Sequence, residues 1–113
     1  MTIVTIDRRQ VSDQVVLAVS GRMDAESAPQ FEQDCRACIA EGLTGIVVDL
    51  GGLTYVSSMG LRSFVSIAKA LQDKGGTLRL CRLQGLVKQV FEITGLLQSF
   101  PVFESVEAAL TAG

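Results

Sequence analysis

The chain has 113 residues, of which 48% are hydrophobic and 19% charged, so it can bury the core of one domain and leaves little room for a second. Ten basic and twelve acidic residues give a net charge of −2, and the scattered basic residues argue against a nucleic-acid surface. The sequence has no histidine, which excludes Ser-His-Asp and Cys-His catalytic arrangements, and histidine metal ligands, within the single chain.

The N-terminal segment, MTIVTIDRRQV, places a short apolar run before charged residues, which is not the order found in a secretory signal peptide. No apolar run approaches the ~20 residues that a helix needs to span a bilayer. Three cysteines cannot all pair, and they do not indicate a disulfide framework. We therefore expect a soluble protein of the cytoplasm.

Runs of β-branched residues alternate with segments in which apolar residues recur at helical spacing. The polar stretch DRRQVSD separates the first two runs and favours a hairpin, while the third run, GIVVDL, is typical of a strand covered on both faces. Asp24 or Ser27 is expected to cap the first helix. The glycines at 51 and 52 are expected to turn the chain after the third strand. Pro101 is expected to place the last strand at an edge of the sheet. The expected strands are 2–6, 14–21, 45–50, 77–83 and 100–103, and the expected helices run from 28 to Gly42, from about 58 to 74, from 86 to 94 and from 105 onward. The buried face of the second helix is expected to consist of Leu61, Phe64, Val65, Ala68 and Leu71.

This order, ββαβαβαβα, indicates a single α/β domain over residues 1–113. Strands that alternate with helices pair in parallel through right-handed crossovers, and the initial hairpin adds an antiparallel pair. The sequence therefore predicts a mixed, mostly parallel β-sheet with helices.

The residues offer no complete catalytic centre. In a Ser-Lys catalytic pair, the lysine would have to lie within hydrogen-bond reach of the serine. At ~1.5 Å per residue, Lys69 lies more than about 10 Å along the helix axis from Ser58, which is too far for it to act as the general base. Neither GxxxxGK[ST] nor GxGxxG follows a strand. An enzyme that works alone is therefore not expected, nor is a cofactor.

Cys35 and Cys38 form a C-x-x-C pattern, but it lies in the middle of the first helix, on the apolar stripe that begins at Phe31. A redox pair normally lies at a helix N-terminus, where the dipole lowers the thiol pKa. Reduced core thiols are the favoured interpretation. A zinc site would need a fourth ligand that the chain does not offer, so no metal is expected.

The stretch VSSMGL places two hydroxyls between the third strand and the second helix. Ser57 or Ser58 is expected to be the N-cap of that helix. A serine at a helix start also tolerates a phosphate, because the unpaired N–H groups and the dipole favour an anion. A phosphate would add about −2 charge without unfolding the domain, so its effect would fall on whatever docks there.

Three apolar side chains are expected to surround these hydroxyls. Met23, Met59 and Leu61, if partly exposed around Ser58 and Asp24, would form an apolar patch with a polar centre, as interfaces require. This composition favours a binding module.

The sequence resembles the STAS domain, and specifically the stand-alone anti-sigma factor antagonists. The segment VSGRMDAESAPQFEQ is similar to the family's G-x-[LM]-D followed by a helix. The segment GIVVDLGGLTYVSSMGLRSFVSIAKALQDKGGTLRL is similar to the family's apolar strand ending in D-L, its D-S-[ST]-G-L motif, the helix after it and the next strand. VKQVFEITGLLQSFPVFESVEAAL completes a resemblance that covers nearly the whole chain.

The resemblance implies the STAS fold and a partner-switching function in bacterial transcription regulation. In that scheme the unphosphorylated antagonist binds an anti-sigma factor that is also an ATP-dependent serine kinase. Phosphorylation of one serine breaks the complex, and a PP2C-type phosphatase restores it. Alignment of Gly60 and Leu61 on the family's G-L places Ser58 at the phosphorylated serine. Asp24 corresponds to the acidic residue that lines the same surface in the family. The implied partner-binding residues are Met23, Asp24, Ser57, Ser58, Met59, Gly60 and Leu61.

The chain departs from the family pattern at two positions. Ser57 stands where the family usually has Asp, and Met59 where it has a second Ser or Thr, so Ser57 is an alternative acceptor for the phosphate. The missing acid leaves a second function open, that of a STAS subunit that docks on the ATPase of a lipid-transport ABC complex without phosphorylation. Neither function calls for nucleic acid or for insertion into a membrane.

Overall fold

A computed structural model describes residues 4–112, which form five strands and four helices in the expected order. The strands are β1 (Val4–Val11), β2 (Gln14–Met23), β3 (Gly45–Val56), β4 (Thr77–Cys81) and β5 (Val102–Phe103). The helices are α1 (Ala28–Ala40), α2 (Ser58–Asp73), α3 (Gly85–Ile93) and α4 (Val106–Thr111), with a short 3₁₀ helix at Leu96–Gln98.

The five strands form one sheet in the order β1-β2-β3-β4-β5. β1 and β2 are the antiparallel pair of a hairpin, and the remaining three pairs are parallel. The predicted mixed, mostly parallel sheet is therefore confirmed. β5 lies at its edge, as Pro101 predicted.

The helices cover both faces of the sheet because β2 and β3 are apolar on both sides. One face packs against α1, α2 and α3 and carries the larger cluster of buried side chains, while Val16 and Val47 on the opposite face pack with α4. The larger cluster contains the contacting rings of Phe31, Phe64 and Phe91. The ring centroids of Phe31 and Phe64 lie 4.8 Å apart, and those of Phe64 and Phe91 lie 5.6 Å apart. This aromatic series holds the three helices together above the centre of the sheet.

β3 is twelve residues long and runs to Val56, so the expectation that the glycines at 51 and 52 turn the chain is wrong. β2 also continues, to Met23, and the two strands stay paired to their ends through two register shifts. Gly52 lies opposite Ser20, where an added Cβ would lie 2.9 Å from the Ser20 hydroxyl oxygen. At position 52, glycine therefore allows the two strands to approach closely and does not form a turn.

Two other strand ends differ from the prediction. β1 runs through polar residues to Val11, because its backbone pairs with β2 while the side chains of residues 7–10 are exposed at the sheet edge. Residues 2 and 3 of the expected first strand lie outside the described residues. β4 ends at Cys81 because Arg82 takes a positive φ of 60°, and with it the chain leaves the extended conformation.

All three cysteine thiols are free and buried. Cys35 and Cys38 lie in the middle of α1, so the prediction that they belong to the core is confirmed. Burial raises the pKa of both thiols, and it raises the pKa of Cys81 to about 11. Thiols of this kind stay protonated and unreactive at neutral pH.

Candidate functional site

The candidate site lies where the carboxyl ends of β2 and β3 meet the start of α2. Met23 ends β2 opposite Val56, the last residue of β3. The Ser57 N–H donates to the Met23 carbonyl over 2.8 Å, which ties the start of α2 to the end of β2. The carboxyl ends of parallel strands are the usual place for binding sites in open α/β sheets.

Ser57 is the N-cap of α2. Its backbone is extended, with φ −90° and ψ 174°, and its hydroxyl oxygen accepts a hydrogen bond from the Gly60 N–H at 3.2 Å. This bond satisfies one of the N–H groups that a helix start leaves without a partner. A neutral serine thus performs the capping role that an aspartate at this position could also perform.

Ser58 is the first residue of α2, and its side chain is exposed. Because Ser57 makes the cap, the Ser58 hydroxyl is not needed there, and it makes no hydrogen bond with any of residues 4–112. The two adjacent serines therefore differ in environment: one hydroxyl is engaged in the fold and the other faces solvent.

Gly60 lets the first turn of α2 sit directly on the strand ends. It is buried, and an added Cβ would lie 2.8 Å from Cγ2 of Val56, 3.1 Å from Cγ of Met23 and 3.2 Å from the Met23 carbonyl oxygen. Glycine is favoured at this point because even a methyl group would crowd Val56 and Met23 between the helix and the sheet. Its packing fixes the position of Ser58 two residues earlier.

Asp24 follows β2 directly and orders the loop to α1. One of its carboxylate oxygens accepts hydrogen bonds from the N–H groups of Glu26 and Ser27, at 3.0 and 3.1 Å. Ser27 occupies the N-cap position of α1 but makes no side-chain cap bond; its hydroxyl instead donates to the Arg22 carbonyl at 2.8 Å. Asp24 is half-buried and lies next to Met23, whose carbonyl accepts from the start of α2.

The expected patch of three apolar side chains does not form, because two of them are buried. Met23 is 0% exposed and Leu61 8%, since both pack into the larger core cluster beneath the start of α2. Met59 is 43% exposed and remains available to a partner. Met23 and Leu61 therefore support the site from below.

An apolar residue further along α2 is exposed although its spacing predicts burial. Val65 was expected on the buried face of the helix, but it lies at the border of that face and is 45% exposed. With Leu61, Arg62, Ser66 and Leu96 it lines a shallow groove of about 290 Å³. The helical spacing of apolar residues along α2 does not show which of them lies at the edge of the buried face.

Arg62 is the charged residue on α2 next to the two serines. It is exposed, and its guanidinium lies 3.7 Å from the sulfur of Met59, so the side chain reaches back over the first turn of the helix. The first turn of α2 contains no acidic residue. The nearby Arg22 guanidinium is stacked over the Tyr55 ring, 4.2 Å from the ring centroid.

Within the described range 4–112, no three His, Cys, Asp or Glu side chains are placed to hold a metal ion. The same residues include no helix with the length and apolar character that crossing a membrane requires.

Known proteins resemble this chain along nearly its whole length. The family model for the STAS domain matches residues 5–109. BtrV of Bordetella bronchiseptica, a candidate anti-sigma factor antagonist, is 39% identical over 108 residues, which cover 96% of this chain and 91% of BtrV. An anti-sigma-B factor antagonist of Staphylococcus aureus is 32% identical over 89 residues, or 79% of this chain and 82% of that protein. The crystal structure of an anti-sigma factor antagonist from Mycobacterium paratuberculosis superposes with a TM-score of 0.87 at 26% identity, covering 96% and 92% of the two chains.

Proposed function

Because this chain belongs to the STAS domain family, we propose that it is an anti-sigma factor antagonist that works by partner switching. In its unphosphorylated form it binds an anti-sigma factor that is also a serine kinase. Transfer of a phosphate to Ser58 releases that partner, and a PP2C-type phosphatase restores binding. The chain itself acts in the cytoplasm as a regulatory binding protein and catalyses no reaction.

The observation that carries this proposal is the different environment of the two serines. A serine that accepts a phosphate must enter a kinase active site, and the Ser58 hydroxyl is exposed at the first position of α2. The Ser57 hydroxyl is engaged in the cap with Gly60, so its modification would compete with the fold. This contrast favours Ser58 over Ser57 as the acceptor.

A phosphate on Ser58 would act on the partner more than on the domain. At the first position of a helix, the free N–H groups and the dipole accommodate an anion. A partner that covers Met59 and the start of α2 would have to desolvate a charge of about −2, which costs several kcal/mol unless a cation is ready to receive it. Since ~1.4 kcal/mol changes affinity tenfold, this cost is large enough for a switch.

The experiment is a calorimetric titration of a kinase-like anti-sigma factor from the same genome with the wild-type chain and two variants. Ser58→Ala should bind as the wild type does, because the hydroxyl makes no hydrogen bond with residues 4–112. Ser58→Asp should bind at least about tenfold more weakly, through the cost of burying its charge.

A control variant separates a local effect from a change in net charge. Gln72→Asp places the same charge on the exposed side of α2, about 21 Å along the axis from Ser58 at the rise of an α-helix. It should bind as the wild type does. If Ser58→Asp bound as tightly as Gln72→Asp, the switch would not lie at Ser58.

A further inference from the structure

The placement of Arg62 on α2 suggests how the phosphorylated state of the domain is held. Arg62 lies four residues after Ser58, so the two side chains are neighbours on the helix surface. Long side chains in a helix lean toward its N-terminus, and the guanidinium of Arg62 is already at the first turn, 3.7 Å from the Met59 sulfur.

Among residues 4–112, Arg62 has no strong partner. The thioether of Met59 is a weak acceptor, and among residues 4–112 no carboxylate forms an ion pair with Arg62. The three ion pairs of the described residues use Arg8, Arg36 and Arg82 instead. An exposed guanidinium at this place is therefore free to take an anion that appears at Ser58.

We propose that Arg62 binds the phosphate of phosphorylated Ser58 within the same chain. This inference rests on Ser58 as the modified residue. A guanidinium presents N–H donors in a fork that matches two phosphate oxygens, and an acid placed four residues before a base is the favoured orientation of such a pair in a helix. The pair would hold the phosphate over the first turn, where it blocks docking, and would withdraw Arg62 from any acidic group of the partner.

Charged side chains of β2 and of the loop after it lie at the same end of the sheet, and Glu26 of that loop is exposed. Asp24 carries a negative charge that opposes the phosphate, but its carboxylate accepts hydrogen bonds from the loop before α1. Arg22 is stacked on Tyr55. Removal of Arg62 therefore isolates the contribution of the cation that shares the helix face with Ser58.

The test measures the second pKa of the phosphate by a ³¹P NMR titration. Phosphoserine is incorporated at position 58 during translation, so the experiment requires neither the kinase nor the partner. The protein is compared with the same phosphorylated chain carrying Arg62→Gln, Arg62→Lys or Lys69→Gln. Lys69→Gln removes an equal charge from the exposed side of α2, about 10 Å further along the axis than Arg62 at the rise of an α-helix.

We expect Arg62→Gln to raise the second pKa of the phosphate by about 0.3 unit, as a helical pair of this spacing predicts, and Lys69→Gln to leave it unchanged. Arg62→Lys should keep at least half of the effect, and about 1 M salt should remove it. Equal values for Arg62→Gln and Lys69→Gln would overturn the proposal, as would equal values for Arg62→Lys and Arg62→Gln. A kinase that fails to modify Ser58 would instead count against the proposed function alone.

Discussion

The division of roles between the two serines predicts that identical substitutions at adjacent positions have different effects on stability. Ser57→Ala removes the acceptor of the Gly60 N–H bond and leaves that donor without its cap. The loss of an N-cap serine costs about 0.5–2 kcal/mol, and a bond of 3.2 Å lies at the long end of the normal range, so we expect about 1 kcal/mol. Ser58→Ala removes a hydroxyl that makes no such bond and should change stability by less than about 0.5 kcal/mol.

Urea denaturation followed by circular dichroism measures both free energies of unfolding. With a slope of about 1–2 kcal/mol per molar urea, Ser57→Ala should lower the midpoint by about 0.5–1 M, whereas the midpoint of Ser58→Ala should coincide with that of the wild type. A third variant, Ser57→Asp, keeps a cap and places a negative charge at the positive end of the helix dipole, so it should be at least as stable as the wild type. Equal losses for Ser57→Ala and Ser58→Ala would refute the assignment of the cap to Ser57.

Two further predictions concern the packing beneath the site and the buried thiols. Gly60→Ala should lower the free energy of unfolding by about 1–2 kcal/mol, because overpacking against Val56 and Met23 exceeds the gain in helix propensity. Thermal or urea unfolding measures this loss. A variant as stable as the wild type would show that α2 does not rest directly on the strand ends. The three cysteines should react with a thiol reagent at neutral pH only as the protein unfolds, since they are buried and burial raises their pKa. Rapid labelling of any one of them in the native protein would contradict their place in the core.

The order of elements could be predicted from the sequence because each element carries a local signal. Alternating apolar runs and helical spacing gave the ββαβαβαβα order, and the continuous apolar character of GIVVDL indicated a strand covered on both faces. The position of the core thiols on α1 followed from their spacing to Phe31. The start of α2 after two small hydroxyls was also predictable, since capping is decided by neighbouring residues.

The features that the sequence did not predict depend on contacts between distant segments. The glycines at 51 and 52 were expected to form a turn, but pairing with β2 keeps them in β3. The burial of Met23 depends on α2 lying across the end of β2, and Val65 is exposed in a shallow groove that it lines with Leu96 from another part of the chain. The hydrogen bond from the Ser57 N–H to the Met23 carbonyl, which joins segments far apart in the chain, was likewise not predictable from neighbouring residues.

Partner switching at Ser58 requires that the protein carry a phosphate in its own organism under some growth conditions. The protein is purified across growth conditions, its intact mass is measured and any modification is mapped to a residue. We expect a species heavier by one phosphate, with the phosphate on Ser58. A phosphate on Ser57 would contradict the assignment of roles to the two serines. The absence of a phosphate under every condition would contradict the switch and favour a subunit that docks on an ABC ATPase without phosphorylation.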